Sequence, residues 1–440
     1  MFRTASGSLM MIASLGLASH VATAGGLSPP ERKLVASVDR HVAEGLALLE
    51  RAVNVNSGTM NPAGVRVVGA MFSDELDRLG FRTRWVDGTT WGRAGHLIAE
   101  HGQHGPKVVL VGHLDTVFEP DSPFQRFQRL DDSTATGPGV IDMKGGDVIM
   151  LLVLRALREA GLLDGLRLVV VMTGDEEKSG TPLAAARADL LAVADGAQAA
   201  IGFEDGDGDP RHVVVARRGN SGWELRVRGH AAHSSQIFSD EVGVGAVYQA
   251  AHVLEQFRDS LGHEPYLTLN PALIVAGTSI AHDPAAARGT AFGKANVVAE
   301  STIVTGDLRT LTPEQREHAQ ATMKRITGDT SPHTSASIEF EEGYPPLAPS
   351  DGNRRLLAMV DQASRDLGLG PLEPVDPARA GAADVSFLGG RVAMVIDAMG
   401  LKGRGGHTVE ETARLNTLPW QAKRVAVLLA RMAGERGARR

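Results

Sequence analysis

The chain has 440 residues and a net charge of −7, with 43% hydrophobic, 22% charged and 4% aromatic residues and no cysteine. That length exceeds one ordinary core, so two domains are expected, while the acidic balance and scarce aromatics argue against a nucleic-acid partner. Disulfides, thiolate metal sites, a cysteine nucleophile and a lipidated cysteine are all excluded, so any metal site must use His, Asp and Glu.

Residues 1–24 read as an export leader. Arg3 is the only formal charge before Glu31, an apolar stretch runs from Leu9 to Leu17, and Ala22-Thr23-Ala24 offers a small-x-small cleavage site. The stretch is too short to span a bilayer comfortably, so no membrane span is expected and the protein reads as exported, periplasmic or secreted.

Helical periodicity then runs from Pro29 to about Asn54. A second helix has Pro62 near its start and closes at Leu79-Gly80. Short strand patterns lead through a polar hairpin at 101–105 into Val108-Val109-Leu110-Val111, which reads as a buried strand. A helix over 145–160, a strand over 166–172 and another over 199–203 follow, and this alternation indicates a largely parallel sheet.

The character changes near Arg217. Trp223, Leu225 and Val227 alternate as in a strand with one solvated face. A helix over 241–258, strands over 266–275 and 297–309, a helix capped at Thr312 and a strand over 335–340 complete the order β-α-β-β-α-β. That order is the ferredoxin-like two-layer unit. From about Asn353 the α/β pattern resumes, with a strand over 392–396 and a closing helix. The chain therefore reads as one α/β domain made of residues 25–216 and 344–440, interrupted by an inserted α+β domain over 217–343.

Charged residues cluster where strands end. The Val108 strand runs into His113-Leu114-Asp115, two polar residues on one side of an extended segment; one can bind a metal while the other fixes its orientation. Asp142 stands in Gly139-x-x-Asp142-x-Lys144-Gly145, where small residues admit a carboxylate to a crowded site; alone it would be an ordinary helix cap. Asp175-Glu176-Glu177 follows a buried strand, and three adjacent carboxylates require a cationic partner. Of the two glutamates, one can bind metal and Glu176 can stay free as general base, a role worth about 10²–10⁴-fold. Glu204 ends another strand, in an acidic string like a calcium loop but without its spaced downstream glutamate. His407 lies in the glycine-rich loop 400–408. Two histidines and three carboxylates at strand ends suit two Zn²⁺ ions, with Mn²⁺ or Co²⁺ as substitutes.

This ordered set resembles the co-catalytic zinc peptidases that include glutamate carboxypeptidase, acetylornithine deacetylase and succinyl-diaminopimelate desuccinylase (peptidase family M-twenty). The similarity runs from about Asn54 to the C-terminal helix and is strongest to the glutamate carboxypeptidase branch, through His113-Leu-Asp115-Thr116-Val117-Phe118. The resemblance implies a zinc-peptidase catalytic domain with an inserted lid and dimerisation domain. It further implies that His113, Asp142 and Glu204 hold one zinc and that Asp142, as a bridge, with Glu177 and His407 holds the other. Asp115 would orient His113, and Glu176 would be the base. Within Gly229-His230-Ala231-Ala232-His233-Ser234, His233 matches the residue that polarises the scissile carbonyl, usually from a neighbouring subunit. Asn296 and Arg309 match substrate-binding positions, Arg309 as a bidentate grip on a carboxylate. The loop 235–240 is longer than is usual, and Gly245 stands where an asparagine is common.

The expected activity is hydrolysis of a peptide or N-acyl amide to release an amino acid with a free carboxylate, most simply by a glutamate-type carboxypeptidase acting as a homodimer. An N-acyl-amino-acid amidohydrolase and an aminopeptidase are the enzymatic alternatives. A periplasmic solute-binding protein is the non-enzymatic one, though it has no need of paired glutamates and histidines at strand ends.

Overall fold

The computed structural model describes residues 26–434; the expected leader lies outside them. Helix α1 (Pro29–Val53) starts where Ser28 and Glu31 cap each other's backbone and Pro29 occupies the first turn. Helix α2 (Pro62–Arg78) begins under the Asn61 side chain, which accepts from the amide of Gly64. Strands β1 (Arg82–Asp87), β2 (Gly95–His101) and β3 (Lys107–His113) follow. Next come α3 (Lys144–Glu159), β4 (Arg167–Thr173), α4 (Leu183–Ala194) and β5 (Ala199–Gly202).

These strands and a later one, Met394–Ile396, form a six-stranded sheet in the order β1-β2-β4-β3-β5-(394–396). Strands β4, β3, β5 and 394–396 run parallel, and β2 alone is antiparallel to β4. Val108, Val109, Leu110 and Val111 are all buried, as a strand covered on both faces requires. One face packs against α1, α3 and the C-terminal helix Thr417–Gly434; the other packs against α4 and residues 383–395.

The segment at 101–105 is not a β-hairpin, contrary to the sequence expectation. Strand β3 takes a parallel neighbour on each side, β4 and β5, so β2 pairs with β4 and the turn crosses over the start of β4. Gly102 and Gly105 have φ of +78° and +84°, and a Cβ on either would lie about 2 Å from the carbonyl oxygens of Leu166 and Gly165.

The second sheet lies wholly between residues 219 and 340. It contains β6 (Gly219–Arg228), β7 (Thr268–Gly277), β10 (Ser301–Thr310) and β11 (Ser335–Phe340) in the order β7-β10-β6-β11, all antiparallel. Helices α5 (Gly245–Leu261) and α6 (Pro313–Thr327) cover one face, against Trp223, Leu225 and Val227, with Phe257 of α5 edge-on to Trp223. This is the ferredoxin-like arrangement expected. Boundaries differ by a few residues in places: α5 spans Gly245–Leu261, β7 starts at Thr268, β10 starts at Ser301, and the last strand of the large sheet starts at Met394. A hairpin of β8 (Ser279–Asp283) and β9 (Arg288–Phe292), absent from the sequence reading, extends between β7 and β10. It is largely exposed, so no buried apolar alternation marked it. Helix α7 (Asp351–Asp366) then begins at the Ser350 cap, and the C-terminal helix closes the described chain. Among the described residues no helix is long and apolar enough to cross a membrane.

Candidate metal centre

The carboxyl ends of the central parallel strands deliver the charged side chains to one edge of the large sheet, as parallel strands must. His113 ends β3, Glu204 follows β5, and Glu176 and Glu177 follow β4; Asp142 lies just before α3 and His407 in the late glycine-rich loop. His113 Nε2 is 3.0 Å from Asp142 Oδ1 and 3.6 Å from Glu204 Oε1. The other oxygen of Asp142 lies 2.8 Å from His407 Nε2, which is 3.1 Å from Glu177 Oε2. Asp142 therefore offers one oxygen to each of two triads, His113–Asp142–Glu204 and Asp142–Glu177–His407. Within each triad the candidate ligand atoms lie within 4.8 Å of one another.

Asp115 does more than the sequence suggested. Its carbonyl oxygen is 3.1 Å from His113 Nδ1, and Oδ1 is 3.4 Å from the same nitrogen, which leaves Nε2 free to face the triad. Its carboxylate also accepts from the amides of Glu176 (3.0 Å) and Glu177 (3.2 Å) and from the Thr59 hydroxyl (2.6 Å). One buried carboxylate thus holds the histidine and the glutamate pair in register.

Electrostatics mark the cluster as short of positive charge. Burial, and then repulsion among neighbouring carboxylates, pushes Glu176 and Glu204 well up and Glu177 up to about 7. Hydrogen bonds to Asp142 and Glu177 raise His407 to about 11. Burial works against a charged His113, but its bonds to Asp115 and Asp142 outweigh that and raise it. Glu177 Oε1 is buried without a hydrogen-bond partner. Crowded carboxylates, an orphaned carboxylate oxygen and two inward imidazole nitrogens are the donor set of a divalent pair, and the residues fit such ions. His407 adopts a left-handed φ of 63°, a strain on the order of 1–3 kcal/mol of the kind found where a side chain must point into a site.

Several residues that position the site had no assigned role in the sequence reading. Glu411 accepts from the amides of Gly139 (2.9 Å), Ile141 (2.8 Å) and Asp142 (3.2 Å), and so shapes the loop that presents Asp142. Lys144, buried, donates to the carbonyl of Val55 at 3.1 Å, and burial lowers it to about 8. The partner of Asp175 is Arg187, at 2.6 Å, and Arg187 also reaches Asp384 at 2.7 Å. The acidic triplet is thereby divided: Asp175 turns to a buried arginine, while Glu176 and Glu177 turn to the cleft. A lone buried arginine in the alanine-rich α4 was the signal available for this pair. The acidic string after Glu204 forms no further cation site, because Asp207 pairs with His212 and Arg379, and Asp209 with Arg211.

A cleft of about 910 Å³ opens beside the triads, with Glu176, Glu177, His407, Asn220, Tyr344 and Arg309 in its wall. Arg309, at the end of β10, is paired through Nε with Asp307 at 2.7 Å. His233 and Asn296 do not line this cleft. They lie beside each other, where His233 bridges to Val297 and the amide of Ser234 donates to the carbonyl of Asn296 at 2.9 Å. Both are exposed, and His233 Nδ1 is 2.8 Å from the Ser235 hydroxyl.

Comparison with known proteins is in keeping with this geometry. Residues 109–431 match the family described as Peptidase family M20/M25/M40. Carboxypeptidase G2 of Pseudomonas sp. (strain RS-16) is 24% identical over 371 residues, 82% of each chain. Acetylornithine deacetylase of Pasteurella multocida (strain Pm70) is 27% identical over 230 residues, 49% of this chain and 57% of the relative. Among solved structures, aminopeptidase PepT from Bacillus cereus ATCC 10987 superposes with a TM-score of 0.70 at 19% identity, covering 89% of this chain and 99% of that one. The metallo-carboxypeptidase Sso-CP2 from Sulfolobus solfataricus superposes with a TM-score of 0.65 at 14% identity, with the same coverages. At these identities the structures speak for the fold alone.

Proposed function

The chain belongs to peptidase family M20/M25/M40, and on that premise we propose an exported di-zinc hydrolase that cleaves a peptide or N-acyl amide and releases an amino acid with a free carboxylate. The observation that carries the reading is Asp142, with one oxygen toward each of two histidines, beside a cleft that also holds Glu176 and Arg309. His113, Asp142 and Glu204 would hold one ion; Asp142, Glu177 and His407 would hold the other. Bound there, zinc would supply Lewis acidity and lower the pKa of a water to about 7.

The remaining chemistry belongs to the chain. Glu176, with its pKa raised by burial, takes a proton from the attacking water and returns it to the leaving amine nitrogen as the C–N bond breaks. Arg309 receives the substrate carboxylate, exchanging its contact with Asp307 for a bidentate one. His233 donates to the scissile carbonyl oxygen from a second subunit, so the working form is a homodimer joined through an inserted domain at 217–343. Asn296 lies beside His233 and serves the same end of the substrate. The carboxypeptidase form is favoured over the aminopeptidase form by Arg309, a cation suited to a terminal carboxylate. A glutamate side chain is a harder fit: Glu341 and Glu342 line the same cleft, and among the described residues Arg309 is the one arginine in its wall.

A panel of N-acyl and peptidyl amino acids ending in Glu, Ala and Lys tests this on the zinc-loaded protein. Chelator-sensitive release of the terminal amino acid is expected, with Ala or Lys ahead of Glu. Release of none ends the proposal, and a strict need for a free amino terminus replaces it with the aminopeptidase reading. Recovery of periplasmic protein beginning after Ala24 is the corresponding test of export.

A further inference from the structure

The segment from Asp175 to Gly180 carries the proposed base and belongs to no helix or strand. Side chains hold its carbonyls instead. Arg187 donates to the carbonyl of Asp175 at 3.1 Å, Arg93 donates to those of Lys178 (2.7 Å) and Ser179 (3.1 Å), and the Tyr344 hydroxyl donates to that of Glu176 at 2.9 Å. Tyr344 differs from the others in where it comes from. The chain enters the second sheet through 217–220 and returns through 344–347, and these two passages form a short antiparallel ribbon. Arg217 and Leu347 exchange N–H···O bonds of 3.0 Å each. The Asn220 amide donates to the Tyr344 carbonyl at 3.0 Å, and the Tyr344 amide donates to Asn220 Oδ1 at 2.7 Å.

We propose that Tyr344 is a positioning residue that ties this ribbon to the peptide carrying Glu176, so that the placement of the second sheet sets the placement of the base. The inference rests on the assignment of Glu176. The hydroxyl accepts from Arg187 and from Ser179 Oγ, so its single hydrogen is committed to the Glu176 carbonyl. The ring is fixed edge-on against Phe387 (centroids 4.9 Å apart) and lies under the Arg187 guanidinium (5.4 Å). A phenol held on three sides has little freedom to follow the loop.

Tyr344→Phe keeps the ring packing and removes the only side-chain donor to the Glu176 carbonyl among the described residues. In the zinc-loaded protein kcat should fall about 2- to 10-fold, the range for one neutral hydrogen bond, with KM and zinc content unchanged. In a Glu176→Asp background the same substitution should cost nothing more, because the shortened side chain has already lost the placement. Phe387→Leu, which loosens the ring but keeps the hydroxyl, should lower the melting temperature and cost less in kcat than Tyr344→Phe. Wild-type kcat in Tyr344→Phe, an equal loss in the Glu176→Asp background, or a loss that follows zinc content overturns the inference. If Glu176→Ala itself turns over normally, the assignment of the base has failed instead.

Discussion

The strand-end rim that gathers the two triads was marked by residue chemistry at strand ends, the exposed ledge that carries His233 and Asn296 by family resemblance alone, and the fold treats them in opposite ways. At the rim, His113, Asp142, Glu177, Glu204 and His407 converge within one chain, crowded enough that burial and repulsion raise the glutamates. On the ledge, the two residues meet each other but not the cleft. Much of the rim follows from the sheet: parallel strands end on one edge, so His113, Glu177 and Glu204, which close β3, β4 and β5, are neighbours, and loops bring Asp142 and His407 to them. The ledge has no such constraint. A donor placed there would reach the chemistry if a second copy of the chain brought it, as proposed above.

The sharpest break of this contrast is at the rim. Glu176→Ala should lower kcat by about 10²–10⁴-fold while the protein still binds two metal ions, as metal analysis would show. Retained turnover would remove the rim's claim to the proton transfer.

His233→Ala should cost about 10²–10³-fold in kcat, the range for one oxyanion donor. Mixing and reassociating the inactive Glu176→Ala and His233→Ala proteins distinguishes the two sources of that donor. If His233 acts across subunits, each mixed dimer regains one intact site and activity returns to about one quarter of wild type. If it acts within its own chain, mixing restores nothing.

Arg309 lies between the two regions, on the second sheet but in the cleft wall. Arg309→Ala should raise KM about 10- to 100-fold, as expected for a lost charge-assisted bond, and change kcat much less. An unchanged KM would leave the cleft without its carboxylate anchor.

The smallest effect concerns the rim's support. Burial raises Glu411 to about 8, against 4.5 for a free glutamate, so the folded chain keeps a proton that the unfolded chain releases between those values. Its contribution is fully present below about pH 4.5 and is lost as pH rises through about 8 in the metal-free protein. Denaturant unfolding between pH 5 and 8 should show the decline, and Glu411→Gln should flatten it.

The five candidate ligands stood out because each follows a short, strongly apolar run or sits among glycines, and such local patterns survive without tertiary information; their grouping into two triads was what the family resemblance implied. The second sheet was legible from alternation at Trp223, Leu225 and Val227 and from the Thr312 cap. The exposed hairpin of β8 and β9 carried no such pattern and escaped.

What the amino-acid sequence alone determined was the parallel core, the β-α-β-β-α-β unit and the run of His, Asp and Glu at strand ends, because burial periodicity and strand-end chemistry are local properties; the assignment of those residues as metal ligands came with the family resemblance. Tertiary structure decided the rest. It placed β4 between β2 and β3, gave Asp175 to Arg187, set Glu411 beneath the Asp142 loop and brought Tyr344 to the Glu176 peptide. Glu411 and Gly139 stand 272 residues apart, and Tyr344 and Glu176 stand 168 apart. Contacts across such separations are set by how the layers stack, and no local pattern encodes them.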